Sequence, residues 1–272
     1  MMVIELAGAG GVGKSTLAPL VAQRLRDILG SEKVAALPEL GPRSTRLWTR
    51  ARRWSWIARH PRALWAARRA CAPEIRTAKY SSWMRIFSSF GIGRWLFGRG
   101  IEVVLIDQGV LRLPLLPAHV QLLPRHLLPD AVLHIVADPV TIELRRIWRN
   151  KTKHRRLEGE ARFAKAGESL GILSALPVEE LRAAMLQFGK QFCNPPFIDS
   201  EIDELLSAPV GALPASETRA ARSIRRCEPD ACAALRGRGV RWKEIDNSRT
   251  ASMADVVESC VQEVLAALGK TA

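Results

Sequence analysis

The sequence predicts an α/β fold in which a parallel five-stranded sheet carries helices on both faces, a doubly wound arrangement. Five short apolar runs indicate the strands, because they are largely continuous, as in buried parallel strands. Helical patterns separate most of these runs, and a glycine-rich turn follows the first run. The predicted strands cover residues 3–8, 34–40, 102–109, 131–138 and 241–248.

Three segments have the clearest helical patterns. The segment 14–29 ends at Gly30, a residue suited to the C-terminus of a helix. The segment 139–151 begins with a proline, which favours the first helical position. In the segment 251–268 the apolar residues lie on one stripe, as in an amphipathic helix. The alternation of these helices with the strands predicts a sheet covered on both faces.

The chain of 272 residues is long enough to bury a core as a single domain over 1–272. Within this domain the sequence predicts a basic, Trp-rich helical region at 43–100 and a lid-like segment at 139–156. Residues 157–239 are predicted to form an insertion or helical extension before the last strand, with one helix at 177–192.

Several classes of protein are disfavoured. Five cysteines, odd in number and scattered, favour thiols in a reducing cytoplasm over a disulfide framework, and Cys227 and Cys232 have poor zinc spacing. The N-terminus lacks the charged start and apolar core of a secretory signal, and charges interrupt the longest apolar stretch. The expected location is cytoplasmic, with a peripheral position at the inner membrane face as the alternative.

The glycine-rich turn at residues 8–16 contains a complete phosphate-binding motif, G-x-x-x-x-G-K-[ST], between a predicted strand and a predicted helix. Its backbone N–H groups are expected to surround phosphate oxygens, with Lys14 reaching the β- and γ-phosphates and Ser15 offering its hydroxyl to Mg²⁺. The motif predicts ATP and Mg²⁺ binding in a P-loop NTPase fold. The predicted nucleotide-binding residues are Gly8, Ala9, Gly10, Gly11, Val12, Gly13, Lys14, Ser15 and Thr16.

An aspartate at the tip of the third predicted strand, Asp107, is expected to hold Mg²⁺ or its water opposite the phosphate loop. Motor-type ATPases commonly have a water-activating Glu after this Asp, whereas Gln108 cannot act as a base. The nearest approach to a guanine-binding N-K-x-D element is NKTK at 150–153, which lacks the carboxylate. Phosphoryl transfer is therefore favoured over hydrolysis.

The order of these parts resembles the nucleoside and nucleoside-monophosphate kinases among P-loop proteins, particularly the thymidylate-kinase-like members. The resemblance covers roughly residues 2–156 and 240–269 and rests on the phosphate loop, the acidic strand end LPEL, the strand ending in Asp, a helix with spaced arginines and a last strand with ID. Thymidylate kinases have an Arg after the third-strand Asp, where this chain has Gln108.

The resemblance implies roles for three further residues. Glu39 would face the acceptor, as a general base towards a hydroxyl or as a binding residue for a phosphate. Arg145 and Arg149 lie one helical turn apart and would begin a lid that closes over the γ-phosphate during transfer. A solvated basic helix face is the alternative for the two arginines.

The positive charge is concentrated in one segment. Between Arg43 and Arg99 there are fourteen Arg and Lys residues and one acidic residue, Glu74, a net charge of +13 against +14 for the whole chain. The segment also contains six of the eight tryptophans. An anionic acceptor, an anionic membrane surface and, less favoured, single-stranded nucleic acid fit this composition, as does a solvated basic face over a Trp core.

The sequence as a whole predicts an ATP-dependent kinase that acts on a small-molecule acceptor. The acceptor would be nucleoside- or nucleotide-like, or another anionic or lipid-linked metabolite. The alternative is a regulatory P-loop ATPase associated with a membrane or with nucleic acid. A second copy of the chain, as a homodimer, is a further expected partner.

Overall fold

The structure is a computed structural model, and its strands and helices follow the predicted order. The residues that it describes are 1–8, 11–37, 54–71, 87, 100–107, 109–112, 115–138, 141–142, 144–145, 177–192, 199–200, 202–203, 229–248 and 251–270.

Five parallel strands form one sheet in the order β2-β3-β1-β4-β5, which confirms the predicted α/β class. The pairing places Leu6 opposite Asp107 and Ala7 opposite His134. The connection after β1 leads to β2 at one edge of the sheet, whereas the connection after β4 leads to β5 at the other edge. In open α/β sheets, ligands bind at the carboxyl ends of the strands where the direction of the connections reverses. The strands are β1 Met2–Ala7, β2 Val34–Leu37, β3 Val103–Asp107, β4 Ala131–Val136 and β5 Arg241–Asp246.

Seven helices are numbered along the described parts of the chain, and short 3-10 turns lie at Ser31–Lys33, Val110–Arg112 and Arg125–Leu127. Residues 141–142 and 144–145 are also helical, within the segment predicted as a helix at 139–151. The seven helices are α1 Lys14–Leu29, α2 at 54–59, α3 Pro61–Ala70, α4 Pro117–Val120, α5 Val178–Phe192, α6 Pro229–Gly237 and α7 Met253–Leu268.

The sheet has a hydrophobic core on each face. Ile4 and Leu6 of β1 belong to the core that includes α1 and α7, whereas Val3 and Ala7 belong to the core that includes α3, α4 and α6. This division follows from the two-residue side-chain period of a strand. The same alternation places Glu5 towards the α3 side. Both cores together confirm the prediction that helices cover the two faces of the sheet.

The last strand differs from the prediction of a buried strand. β5 is at the edge of the sheet, and Ile245 is its only buried residue. Since an edge strand has a neighbour on one side only, the charged residues in RWKEID can remain in contact with solvent.

The predicted special regions are described only in part. In the basic region 43–100 the described helices are α2 and α3, and in the insertion 157–239 they are α5, α6 and short pieces at 199–200 and 202–203. Three of the five cysteines lie among the described residues, Cys71, Cys232 and Cys260, and all three are buried. No helix among the described residues is long and apolar enough to cross a lipid bilayer.

Candidate nucleotide-binding site

Glycines in the loop between β1 and α1 adopt conformations that other residues disfavour. Gly8, Gly11 and Gly13 have φ angles of 136°, 102° and 95°, in the left-handed region. A Cβ at Gly8 would lie 2.2 Å from the carbonyl oxygen of Ile135 on β4, and one at Gly13 would lie 2.7 Å from Nδ2 of Asn247. The loop therefore requires glycine at both positions for conformation and for space.

Lys14 begins α1, and its side chain extends back across the loop. Its Nζ donates a hydrogen bond of 2.7 Å to the carbonyl oxygen of Gly8. The amides of Thr16 and Leu17 donate to the carbonyl oxygen of Gly13 at 2.9 and 3.0 Å, so the loop backbone starts the helix. The first turn has no acidic residue to neutralise the positive end of the helix dipole. An ammonium group and a helix N-terminus thus adjoin the loop, a combination that suits phosphate binding.

Ser15 and Asp107 meet at the carboxyl edge of the sheet. The Ser15 hydroxyl donates a hydrogen bond of 2.8 Å to Oδ2 of Asp107. The contact follows from the topology, because β1 and β3 are neighbours and Asp107 ends β3 opposite Leu6 of β1. The two residues predicted as Mg²⁺ ligands are therefore adjacent in space, although 92 positions separate them in sequence.

The donor set at this point fits a magnesium ion. Among the described residues, the other carboxylate oxygen of Asp107, Oδ1, is buried and has no hydrogen-bond partner. A hydroxyl and a carboxylate are oxygen ligands of the kind that Mg²⁺ prefers. No group of three or more His, Cys, Asp and Glu in the described parts of the chain could hold a metal ion. An ion between Ser15 and Asp107 would therefore take its remaining ligands from nucleotide oxygens and water.

A buried glutamate on β1 holds the turn that follows Asp107. Glu5 is 1% exposed, and its two carboxylate oxygens accept hydrogen bonds of 2.9 Å from the amides of Val110 and Leu111. A Cβ at Gly109 would lie 2.4 Å from Cδ of Glu5, so a larger residue there would displace the Glu5 carboxylate. The interpretation of the sequence missed this clamp. Its one signal was a carboxylate inside the otherwise apolar run VIEL.

The carbonyl oxygen of Val12 accepts hydrogen bonds from two residues beyond the loop. Asn247, which is 1% exposed and follows β5, donates from Nδ2 at 2.7 Å. Arg145 donates to the same oxygen at 2.9 Å and to Oδ1 of Asn247 at 3.3 Å. Burial lowers the pKa of Arg145 to about 10, an effect that the carboxylates of Asp138 and Asp246 oppose, so the guanidinium is charged at neutral pH.

The ends of β4 and β5 are tied together next to this pair. Asp138 accepts hydrogen bonds from the amide of Thr141 at 2.9 Å and from its hydroxyl at 2.5 Å, the pattern of a helix N-cap. The amide of Asp138 donates to Oγ of Ser248 at 2.9 Å, and that hydroxyl donates to Asp246 at 2.6 Å. These bonds fix the start of the helical segment that carries Arg145.

The structure brings together part of the predicted site. Lys14, Ser15 and Asp107 lie at one edge of the sheet. The guanidinium of Arg145 contacts the backbone of the phosphate loop at the carbonyl oxygen of Val12. The sequence offered one weak signal for Asn247, a polar residue directly after the strand end EID. The other predicted residues, Ala9, Gly10, Glu39, Gln108 and Arg149, lie outside the described residues.

No family model and no curated protein matches the chain. Among solved structures, the chain is similar to thymidylate kinase from Ehrlichia chaffeensis at 19% sequence identity, with 53% of this chain and 75% of that chain covered and a TM-score of 0.24.

Proposed function

We propose that this protein is an ATP- and Mg²⁺-dependent kinase that transfers the γ-phosphoryl group to a small-molecule acceptor. The observation that carries the proposal is the 2.8 Å hydrogen bond between Ser15 and Asp107 beside the first turn of α1. It joins the phosphate loop to an acidic strand end, the combination on which phosphoryl transfer relies. The buried Oδ1 of Asp107, which has no hydrogen-bond partner among the described residues, is a further oxygen available to the ion.

In this proposal different residues of the loop bind different parts of ATP and its Mg²⁺ ion. Lys14 exchanges its contact with the carbonyl oxygen of Gly8 for oxygens of the β- and γ-phosphates. The loop amides and the N-terminus of α1 bind further phosphate oxygens. Ser15 and Asp107 hold Mg²⁺, which offsets the charge on the transferred group.

Transfer to an acceptor, and not to water, is supported by the residue after Asp107. Gln108 offers no carboxylate that could take a proton from water. In this proposal Glu39 orients the acceptor, as a base towards a hydroxyl or as a binding residue, and Arg149 contacts the γ-phosphate. Arg145 acts on the loop through the carbonyl oxygen of Val12. The acceptor is nucleoside- or nucleotide-like, or another anionic or lipid-linked metabolite.

The test is ATP turnover by the purified chain with Mg²⁺ and a panel of nucleosides, nucleotides, sugars and lipid-linked sugars. We expect ADP to form with one class of acceptor and to form slowly in its absence. Lys14→Ala should lower the acceptor-dependent rate about a hundredfold or more, because it removes a cation that would stabilise the negative charge on the transferred phosphoryl group in the transition state. Lys33→Ala, which removes a half-exposed lysine that pairs with Glu102 just after α1, is the matched control and should retain the rate.

The rival function is a regulatory ATPase at a membrane or on nucleic acid. It predicts rapid ATP hydrolysis without any acceptor, stimulated by vesicles or by DNA. That result, with no acceptor phosphorylated from the panel, would contradict the kinase proposal while leaving nucleotide binding intact. Failure of the wild-type chain to bind a non-hydrolysable ATP analogue would contradict both functions.

A further inference from the structure

Helix α3 has a surface that the phosphate loop and its neighbours do not use. The alanines on one side of this helix are buried, whereas Arg62, Trp65, Arg68 and Arg69 are exposed; we call these four residues the α3 outer face. Arg62, Trp65 and Arg69 follow the spacing of one helical stripe. The buried alanines are Ala63, Ala66, Ala67 and Ala70.

The α3 outer face presents a large apolar ring among cations. Trp65 is 58% exposed, and the guanidinium of Arg69 lies 4.7 Å from its ring centroid. Trp54, on the preceding helix α2, is 52% exposed. The sequence 54–71 contains four arginines and no acidic residue. An anionic partner with an apolar layer beneath its charge is complementary to this combination.

The core holds this face in place from behind. Ala63, Ala67 and Ala70 belong to the core on the α3 side of the sheet. The carbonyl oxygen of Arg69 accepts a 2.9 Å hydrogen bond from Nδ1 of His119, and that of Ala70 accepts one of 2.8 Å from the amide of Leu116. The outer face therefore belongs to a helix that the folded domain anchors.

We propose that the α3 outer face binds the surface of an anionic phospholipid bilayer. Arginines adopt positions among anionic headgroups, and tryptophan rings favour the boundary between headgroups and acyl chains. An electrostatic contact and an inserted apolar group together give stable peripheral binding, whereas one such signal alone gives marginal binding.

A bilayer suits this face better than single-stranded nucleic acid does. Stacking of bases requires an open aromatic face, and the guanidinium of Arg69 covers one face of Trp65. Insertion at a lipid interface requires no open ring face, and a neighbouring guanidinium can remain among the headgroups. The two partners therefore make different demands on the same tryptophan.

The experiment measures binding of the full chain to sedimenting vesicles in the absence of nucleotide. Vesicles of phosphatidylcholine with phosphatidylglycerol are compared with phosphatidylcholine alone. We expect binding to the anionic vesicles only, with a loss as salt rises towards 1 M, where the screening length falls to about 3 Å. Because no nucleotide is present, the outcome does not depend on the kinase proposal.

Two variants test whether the outer face is the contact. R62Q/R69Q should lower the vesicle partition coefficient roughly fivefold for each arginine removed. Trp65→Ala should lower it roughly tenfold, which corresponds to the loss of about 60 Å² of inserted ring. Because these side chains are exposed, urea unfolding midpoints of both variants should stay near that of the wild type.

A matched control removes two charges from the other side of the sheet. R24Q/K243Q has the same net charge as R62Q/R69Q, and both control residues pair with glutamates of α7. The control should bind vesicles nearly as the wild type does. Equal losses in the two double variants would overturn the proposal, since binding would then follow net charge alone. Equal binding to neutral vesicles, or binding to an oligonucleotide instead of vesicles, would also overturn it.

Discussion

Asn247 donates a 2.7 Å hydrogen bond from Nδ2 to the carbonyl oxygen of Val12, across 235 positions of sequence. In a trans peptide the C=O and N–H groups point to opposite sides. Two donors hold the carbonyl oxygen of Val12 towards Asn247 and Arg145, so the N–H of Gly13 points to the opposite side of that peptide, where the proposed function places the phosphates. Arg145 contacts both Val12 and Asn247 and adds to the same restraint.

The first prediction is that Asn247→Ala weakens ATP binding while the protein stays folded. The variant removes one of two donors to Val12, so the loop loses part of its preorganisation, and we expect an affinity about tenfold lower. Asn247→Asp should weaken binding at least as much, because it keeps the side-chain size but cannot donate. Calorimetry with a non-hydrolysable ATP analogue measures both effects.

The control for this prediction is Gln262→Ala, which removes an exposed amide side chain on α7. It should leave ATP affinity unchanged within about twofold. If Asn247→Asp binds ATP as tightly as the wild type, the donated hydrogen bond has no part in forming the site.

The second prediction concerns Mg²⁺. Wild-type protein should bind the ATP analogue more tightly with Mg²⁺ than with a chelator, and Asp107→Asn should reduce that gain at least about tenfold. Ser15→Ala removes the hydroxyl that bonds to Asp107 and should act in the same direction. Titrations of each protein with and without Mg²⁺ give the two affinities. An undiminished gain in Asp107→Asn would assign the metal to other ligands.

Much of the fold could be predicted from local patterns. The predictions of β1, of the loop after it and of α1 came from the run VIEL, the glycine-rich turn and the helical pattern that follows. These elements could be predicted because the spacing of apolar residues and the choice of turn residues are visible within a few positions of sequence. The edge strand β5 was predicted as buried, since a sequence of six residues does not reveal how many neighbours a strand has. The topology decides that exposure.

The contacts of the site were harder to predict than its elements. Glu5 bonds to Val110, 105 positions away, and such a contact depends on the pairing of β1 with β3. Arg145 was predicted to reach the γ-phosphate from a lid, whereas in this structure it contacts Val12 and Asn247. Arg145, Val12 and Asn247 come together only because the carboxyl ends of β1, β4 and β5 are adjacent in the folded sheet.

The third prediction is that the thiol of Cys260 resists alkylation in the folded protein. Burial, with a smaller effect of the Glu263 carboxylate, raises the pKa of Cys260 to about 12. The reactive thiolate is therefore scarce at neutral and mildly alkaline pH. Mass spectrometry after iodoacetamide treatment should find Cys260 unmodified in buffer and modified in urea. Modification in buffer at the rate seen in urea would contradict the burial of Cys260 in the core that includes α1 and α7.

The last prediction concerns the clamp that Glu5 forms on the turn after Asp107. Glu5→Gln replaces one acceptor oxygen by an NH₂ group that faces a backbone N–H donor, either that of Val110 or that of Leu111. Because this site is buried, the free energy of unfolding should fall by about 1–3 kcal/mol. Urea unfolding gives that value, and Glu244→Gln, on exposed β5, should change it by less than about 0.5 kcal/mol.

The same clamp should affect the metal site, because it holds the chain directly after Asp107. Gly109→Ala forces a methyl group into the space of the Glu5 carboxylate. Since the two residues touch, the destabilisation in a Glu5→Gln/Gly109→Ala double variant should be smaller than the sum of the single effects. Under conditions where each variant is fully folded, its Mg²⁺-dependent gain in nucleotide affinity should still be reduced. Strict additivity with an unchanged gain would mean that Glu5 stabilises the core without positioning Asp107.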